Sequence, residues 1–210
     1  MSAGERRLRV LATHVSVASA PADDGSPMGR GTYIRSLPPI DALRIDHGSR
    51  PPRPPAMDRA SLGAAVGQQL GQSGWFEVTQ ERVDAFALTT GDPQWIHARD
   101  AAERGSPFGA PIVHGNLTMC LAYLLATEGM PPLEGVTTGL NYGVNRVRYP
   151  SPLVVGSRVR ATVKLLSTKP VPPVPGTEEG CENVIQVTVV SESGDKPVCV
   201  AELVSRLYFG

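Results

Sequence analysis

The stretch "TTGDPQWIHARD" (89–100) sets a carboxylate, Asp92, and an imidazole, His97, five positions apart around a proline and a tryptophan. A carboxylic acid beside an imidazole is a common acid/base pair, able to hold and move protons on one small molecule. A second stretch, "PIVHGNLTMCLAYLL" from Pro111, places His114 and Gly115 at the mouth of an apolar run. If that run is a helix, the Gly115 N–H is among the amides with no intrahelical partner. Such amides, at the positive end of the helix, suit an oxygen that gains negative charge, and a glycine lets a substrate carbonyl come close.

Each fragment also has a purely structural reading. Gly91 can end one helix, Asp92 can cap the next and Pro93 can occupy its first position. His97 can be a core imidazole, and Gly115 an ordinary residue at a helix start. Spacing alone leaves these alternatives open; the functional reading needs the two stretches to meet.

The elements that would position them read as follows. "GWFEV" (74–78) is a short strand. "TQERVDAFALTTG" follows as a helix with Thr79 at its N-cap and Gly91 as its stop. "NLTMCLAYLLATEG" gives about four helical turns. It is apolar nearly all round, so it is expected to be buried on every side. The period then changes to two. "RVRATVKLL" puts Val159, Ala161, Val163 and Leu165 on one face, and "VIQVTVV" does the same with Ile185, Val187 and Val189. "PVCVAELVSRLYF" is a last strand, and "GVTTGLNYGVNRVRYP" an earlier one, bent near Gly143. "STKPVPPVPGTEEG" reads as a long Pro-rich excursion between strands. The sum is an α+β domain, a curved antiparallel sheet wrapped around a buried helix.

Residues 1–57 differ. They hold eight prolines, and eight arginines against five acids, with no sustained apolar period. The expectation is a disordered N-terminal extension, 1–57, ahead of a folded domain, 58–210; Met57 could equally be the true start. Lys+Arg and Asp+Glu are both 20, which points away from nucleic acid and anionic membranes. No apolar run reaches the length of a membrane span. Cys120, Cys181 and Cys199 are odd in number and widely spaced, which argues against a disulfide framework or a zinc site and for a reducing compartment. A cytoplasmic location is expected, with a mitochondrial transit peptide as the other reading of the first residues. No ligand cluster implies a metal or a cofactor.

"FALTTGDPQWIH" followed by "PFGAPIVHG" resembles the two-part hydratase motif of the MaoC-like, R-specific enoyl-CoA hydratases, which adopt the hot dog fold. "GLNYGVNRVRYPSPLVVGSRVRA" is similar to the family's interface strand and the turn after it. The likeness spans about residues 60–210. It departs from the usual D-x-N-P-L-H pattern at Gln94 and Trp95, while Asp92 and His97 keep register. The resemblance implies that Asp92 and His97 hold a water for addition to a trans-2-enoyl thioester, with the Gly115 N–H on the enolate-like oxygen. It implies a CoA or carrier-protein thioester as substrate, no cofactor, and a homodimer through paired sheets. Trp95, Phe108, His114 and Arg146 are the further candidates for binding substrate; Arg146, Arg148 and Lys169 are basic groups near the interface strand that could meet CoA phosphates. The alternatives are a hot dog thioesterase, a carrier-protein dehydratase, and a non-catalytic acyl-CoA-binding or scaffold protein.

Overall fold

The computed structural model describes residues 54–210, so most of the expected extension lies outside the described residues. The elements run α1 (Arg59–Ala64), β1 (Gln69–Gln72), β2 (Phe76–Glu77), α2 (Gln80–Thr90), a single 3₁₀ turn (Trp95–His97), α3 (Gly115–Gly129), β3 (Val136–Arg148), β4 (Arg158–Val171), β5 (Gly180–Ser191) and β6 (Pro197–Phe209). The strands form one six-stranded sheet in the order β1-β4-β5-β6-β3, with β2 also pairing to β4, and every pairing is antiparallel.

The two-residue period of the long strands becomes the core directly. Leu165, Ile185 and Leu203 form one cross-strand rung; Val163, Val187 and Ala201 form the next; Ala161, Val189 and Cys199 a third. All nine side chains are buried, and Leu117, Leu121, Ala122 and Leu125 of α3 belong to the same cluster. Cross-strand apolar pairs of this kind are the unit of sheet stabilisation, and α3 covers them with one face.

That one-sidedness corrects the expectation that α3 is buried all round. Asn116, Cys120 and Thr127 are exposed and Met119, Tyr123 and Leu124 only half-buried. A sheet curving around a helix covers one side of it, and in a single chain the remainder stays open. The far end of α3 is seated without side chains. A Cβ on Gly71 of β1 would strike the Gly129 carbonyl oxygen, and one on Gly129 would lie 2.7 Å from the Ser73 amide nitrogen.

Three further boundaries differ from the sequence reading. The strand β1 was not expected, because "QLGQ" is short and polar and is held only by pairing with a segment some ninety residues later in the chain. The Pro-rich excursion is shorter than expected: β4 runs to Val171 and β5 resumes at Gly180, leaving a hairpin connection of residues 172–179. Asp92 does not cap a helix, since the 3₁₀ turn begins only at Trp95, with Gln94 before it. The end of α2 is as expected, with Gly91 in the left-handed region at φ 71°. So is the irregular register in β3 between Asn141 and Gly143. Met57 is tied into the domain, its N–H donating to Pro132 O at 2.9 Å and its carbonyl accepting from Glu134 N–H at 3.0 Å.

Candidate active site

Two loops and one helix start are zipped together by main-chain bonds. Ile112 N–H donates to Ile96 O at 3.0 Å, and Val113 N–H to Leu153 O at 2.7 Å. This brings the 3₁₀ turn, the approach to α3 and the segment before β4 into one place. From the other side Gln80 of α2, itself buried, donates its side-chain amide to the His97 carbonyl at 2.8 Å.

Within this frame the imidazoles have fixed tautomers. His97 Nδ1 lies 2.6 Å from the Ile112 carbonyl, which only accepts, so Nδ1 carries the proton and the neutral ring offers Nε2 as a base. His114 Nε2 donates to the Asp92 main-chain carbonyl at 3.1 Å and stands 4.0 Å from the Asp92 carboxylate. The two rings stack, centroids 3.6 Å apart and planes 25° from parallel, with Phe86 against the His114 ring at 5.1 Å. Burial holds His114 below the ordinary histidine value; the Asp92 carbonyl pulls back, His97 pushes further down and the Asp92 charge opposes it.

One ligand-type atom from each of Asp92, His97 and His114 lies within 4.8 Å of the others. Two stacked imidazoles hold their lone pairs in nearly parallel planes. That suits separate hydrogen bonds better than convergence on one ion.

These groups share a cavity of about 470 Å³ with Gly115, Asn116, Phe108 and Tyr149. Its size suits a small-molecule ligand. A second concavity of about 470 Å³, beside Arg59 and Phe209, holds no acid beside an imidazole, and chemistry rather than volume decides between them. Gly115 is the first residue of α3, and its amide has no i−4 carbonyl within the helix.

A model of the MaoC like domain matches residues 61–177, more than half of the chain. The 3-hydroxyacyl-thioester dehydratase Z of Mycobacterium tuberculosis is 43% identical over 147 residues, covering 70% of this chain and 93% of that protein. The chain belongs to the MaoC-like dehydratase family, whose reaction class is that of a hydro-lyase. Among solved structures, a MaoC-like dehydratase from Rhodospirillum rubrum superimposes with a TM-score of 0.54 at 23% identity, over 70% of this chain and 94% of that one. An (R)-hydratase from A. caviae involved in PHA biosynthesis gives 0.51 at 21% identity, over 67% and 94%. These two likenesses are of fold, and the fold is the hot dog.

In this MaoC-like chain, then, Asp92, His97, His114, Gly115 and Phe108 come together around one cavity. Trp95 does not line it. Successive residues of a 3₁₀ turn point about 120° apart; with Ile96 and His97 turned inward, Trp95 faces out under the Arg104 guanidinium, 5.3 Å from its ring centroid. Arg146 sits with Arg148 and Glu202 around a separate concavity, and Lys169 is paired with Glu182 at 2.8 Å. The side of Gly115 thought to leave room for a substrate carbonyl is taken: a Cβ there would lie 2.8 Å from the Tyr149 ring. Tyr149, whose hydroxyl donates to Asn116 Oδ1 at 3.2 Å, and Gln80 were missed by sequence reasoning. Tyr149 sits in the stretch similar to the family's interface strand but was not singled out there, Gln80 sits in no motif, and each reaches the site through tertiary pairing.

Among the described residues no helix is long and apolar enough to cross a membrane.

Proposed function

We propose that this chain is an (R)-specific enoyl-CoA hydratase, equally a (3R)-hydroxyacyl-CoA dehydratase. The observation that carries the proposal is the gathering of Asp92, His97 and His114 within 4.8 Å on a cavity that also exposes the amide end of α3. A water between the Asp92 carboxylate and His97 Nε2 loses a proton as its oxygen bonds to Cβ of a trans-2-enoyl thioester. The electron pair moves to the thioester oxygen, where the Gly115 N–H donates, and Cα then takes back from the Asp92/His97 pair the proton that the water gave up to it. Dehydration runs the same steps backwards. General acid–base help of this kind is worth about 10²–10⁴-fold, and one oxyanion donor roughly 3–4 kcal/mol. Similarity to a protein named as a 3-hydroxyacyl-thioester dehydratase supports the same direction.

The test is hydration of crotonyl-CoA with chiral analysis of the product. (3R)-3-hydroxybutyryl-CoA is expected. Release of free CoA without hydroxyacyl product would make the protein a thioesterase instead, and tight binding without turnover would make it a binder.

The working unit is a homodimer. Among the described residues β3 is an edge of the sheet and pairs with β6 alone. Leu140, Tyr142 and Val144 are exposed, and the register break between Asn141 and Gly143 sets Leu140 beside Arg206 on the outer face and Val144 beside Leu203 on the core face. A 13-residue edge strand with exposed apolar side chains is a surface that soluble proteins cover. A second copy pairing there would also approach the open side of α3, whose Tyr123 hydroxyl already reaches the Gly143 carbonyl at 3.1 Å.

A further inference from the structure

Asp92 and His97 have no hydrogen bond to one another. The Asp92 carboxylate is about half exposed, and its side chain accepts no hydrogen bond among the described residues. Its neighbours Gly91 and Pro93 lie between the end of α2 and the 3₁₀ turn, outside regular structure. What fixes a carboxylate in such a place must act on the main chain that carries it. One side chain does so from across the site. His114 Nε2–H donates to the Asp92 carbonyl at 3.1 Å, and the face of the same ring lies 3.6 Å from the His97 ring. His114 itself is almost wholly enclosed, with Phe86 on its flank and its backbone at the start of α3. It is the least exposed member of the trio and touches both others.

We infer that His114 is a positioning residue that joins Asp92 and His97 into one proton-handling unit, its N–H holding the Asp92 main chain and its ring face setting the plane of His97. The inference rests on the reading of Asp92 and His97 as the acid/base pair. It moves His114 away from the role of substrate contact expected from its place in the "IVHG" stretch. Two features of the geometry agree with a supporting role. The N–H that a substrate would need is already spent on Asp92 O, and the remaining ring nitrogen, Nδ1, is buried with no partner. A ring that handles no substrate atom still matters to rate, because small misplacements of an acid/base pair are costly: about 1 Å can remove about a hundredfold.

The two contacts can be removed separately. His114→Phe keeps an aromatic face for His97 and loses the N–H; His114→Gln keeps an amide N–H and loses the face. Crotonyl-CoA hydration by the full chain is measured for both, beside Asp92→Asn and the unaltered protein, with thermal unfolding of each. The expected result is a kcat lowered about tenfold or more in both His114 variants, with KM within about twofold and native-like cooperative unfolding. Unchanged kcat in both His114 variants overturns the inference. So does a loss confined to KM, which would return His114 to substrate binding. Wild-type turnover by Asp92→Asn would instead bring down the acid/base reading beneath it, and the two failures are told apart by which variant stays active.

Discussion

The imidazole of His97 lies face to face with that of His114, at 3.6 Å between centroids, although the two residues approach from different loops seventeen positions apart. Their outer nitrogens are each tied to a main-chain carbonyl, Ile112 O for one and Asp92 O for the other. The stack therefore presents one basic nitrogen, His97 Nε2, from a ring held on two sides.

If that nitrogen and the Asp92 carboxylate share the water, Asp92→Asn and His97→Ala each lower turnover at least about a hundredfold while the fold is kept. Loss of enoyl-thioester absorbance with crotonyl-CoA measures this. Near-normal turnover in either variant removes that residue from the reaction.

Gly115 and Tyr149 should be energetically coupled. In Gly115→Ala the new methyl meets the Tyr149 ring at 2.8 Å, so the ring, whose hydroxyl is bonded to Asn116, must shift. The penalty in kcat/KM should be smaller by about 1 kcal/mol or more when Tyr149 is already alanine. An equal penalty in both backgrounds would mean the methyl acts on the amide and not on the ring.

Acid stability should depend on His114. Its folded value lies below the ordinary 6.5, so as pH falls through and below 6.5 the unfolded chain takes up a proton that the folded chain resists. Stability contributed by the neutral ring is present above that range and is lost as pH falls towards the folded value. Urea unfolding of His114→Phe across this range should show a flatter slope than the unaltered protein. On the alkaline side the sign reverses. Burial pushes the Cys199 thiol from 9.0 up to about 11, so stability is full below 9 and declines as pH rises through 11. Cys199→Ala should remove that decline.

Leu125 faces the sheet from α3 and is fully buried. Leu125→Ala should cost about 2–5 kcal/mol of unfolding free energy. Thr127→Ala, two positions along on the exposed face, should change it little. Comparable losses from both in denaturant titrations would contradict a one-sided burial of the helix in the monomer.

Sedimentation should find a dimer for the intact protein and a monomer for Leu140→Lys combined with Val144→Lys. Two charges along the edge strand, one on each face, make its pairing with a second copy unfavourable. A monomeric intact protein would end the dimer reading.

The strands were legible because a half-buried strand writes its two faces into alternate residues: Val159 to Leu165 and Ile185 to Val189 are buried as that rule requires. The acid, the imidazole and the helix-start glycine were legible because they sit in short local motifs. Three things were not. β1 has no apolar alternation and exists only through its partner, β4. Trp95 carried the look of a pocket residue, yet the roughly 120° step between successive residues of a 3₁₀ turn sends it away from the cavity once Ile96 and His97 face in. The His97–His114 stack, the Gln80 brace and the Tyr149 wall depend on loops that meet only after the sheet has formed, and nothing in their local sequence records the encounter.

The glycine contact at the far end of α3 has a consequence for how this enzyme could diversify. What blocks a methyl at Gly71 or Gly129 is backbone, so no exchange at a neighbouring position can make space for it. Randomising both codons together should return the same pair again and again. The rear of the helix is thus a frozen pivot, and any change in what the cavity accepts falls to the forward rim, where the blocking groups at Asn116, Phe108 and Tyr149 are side chains.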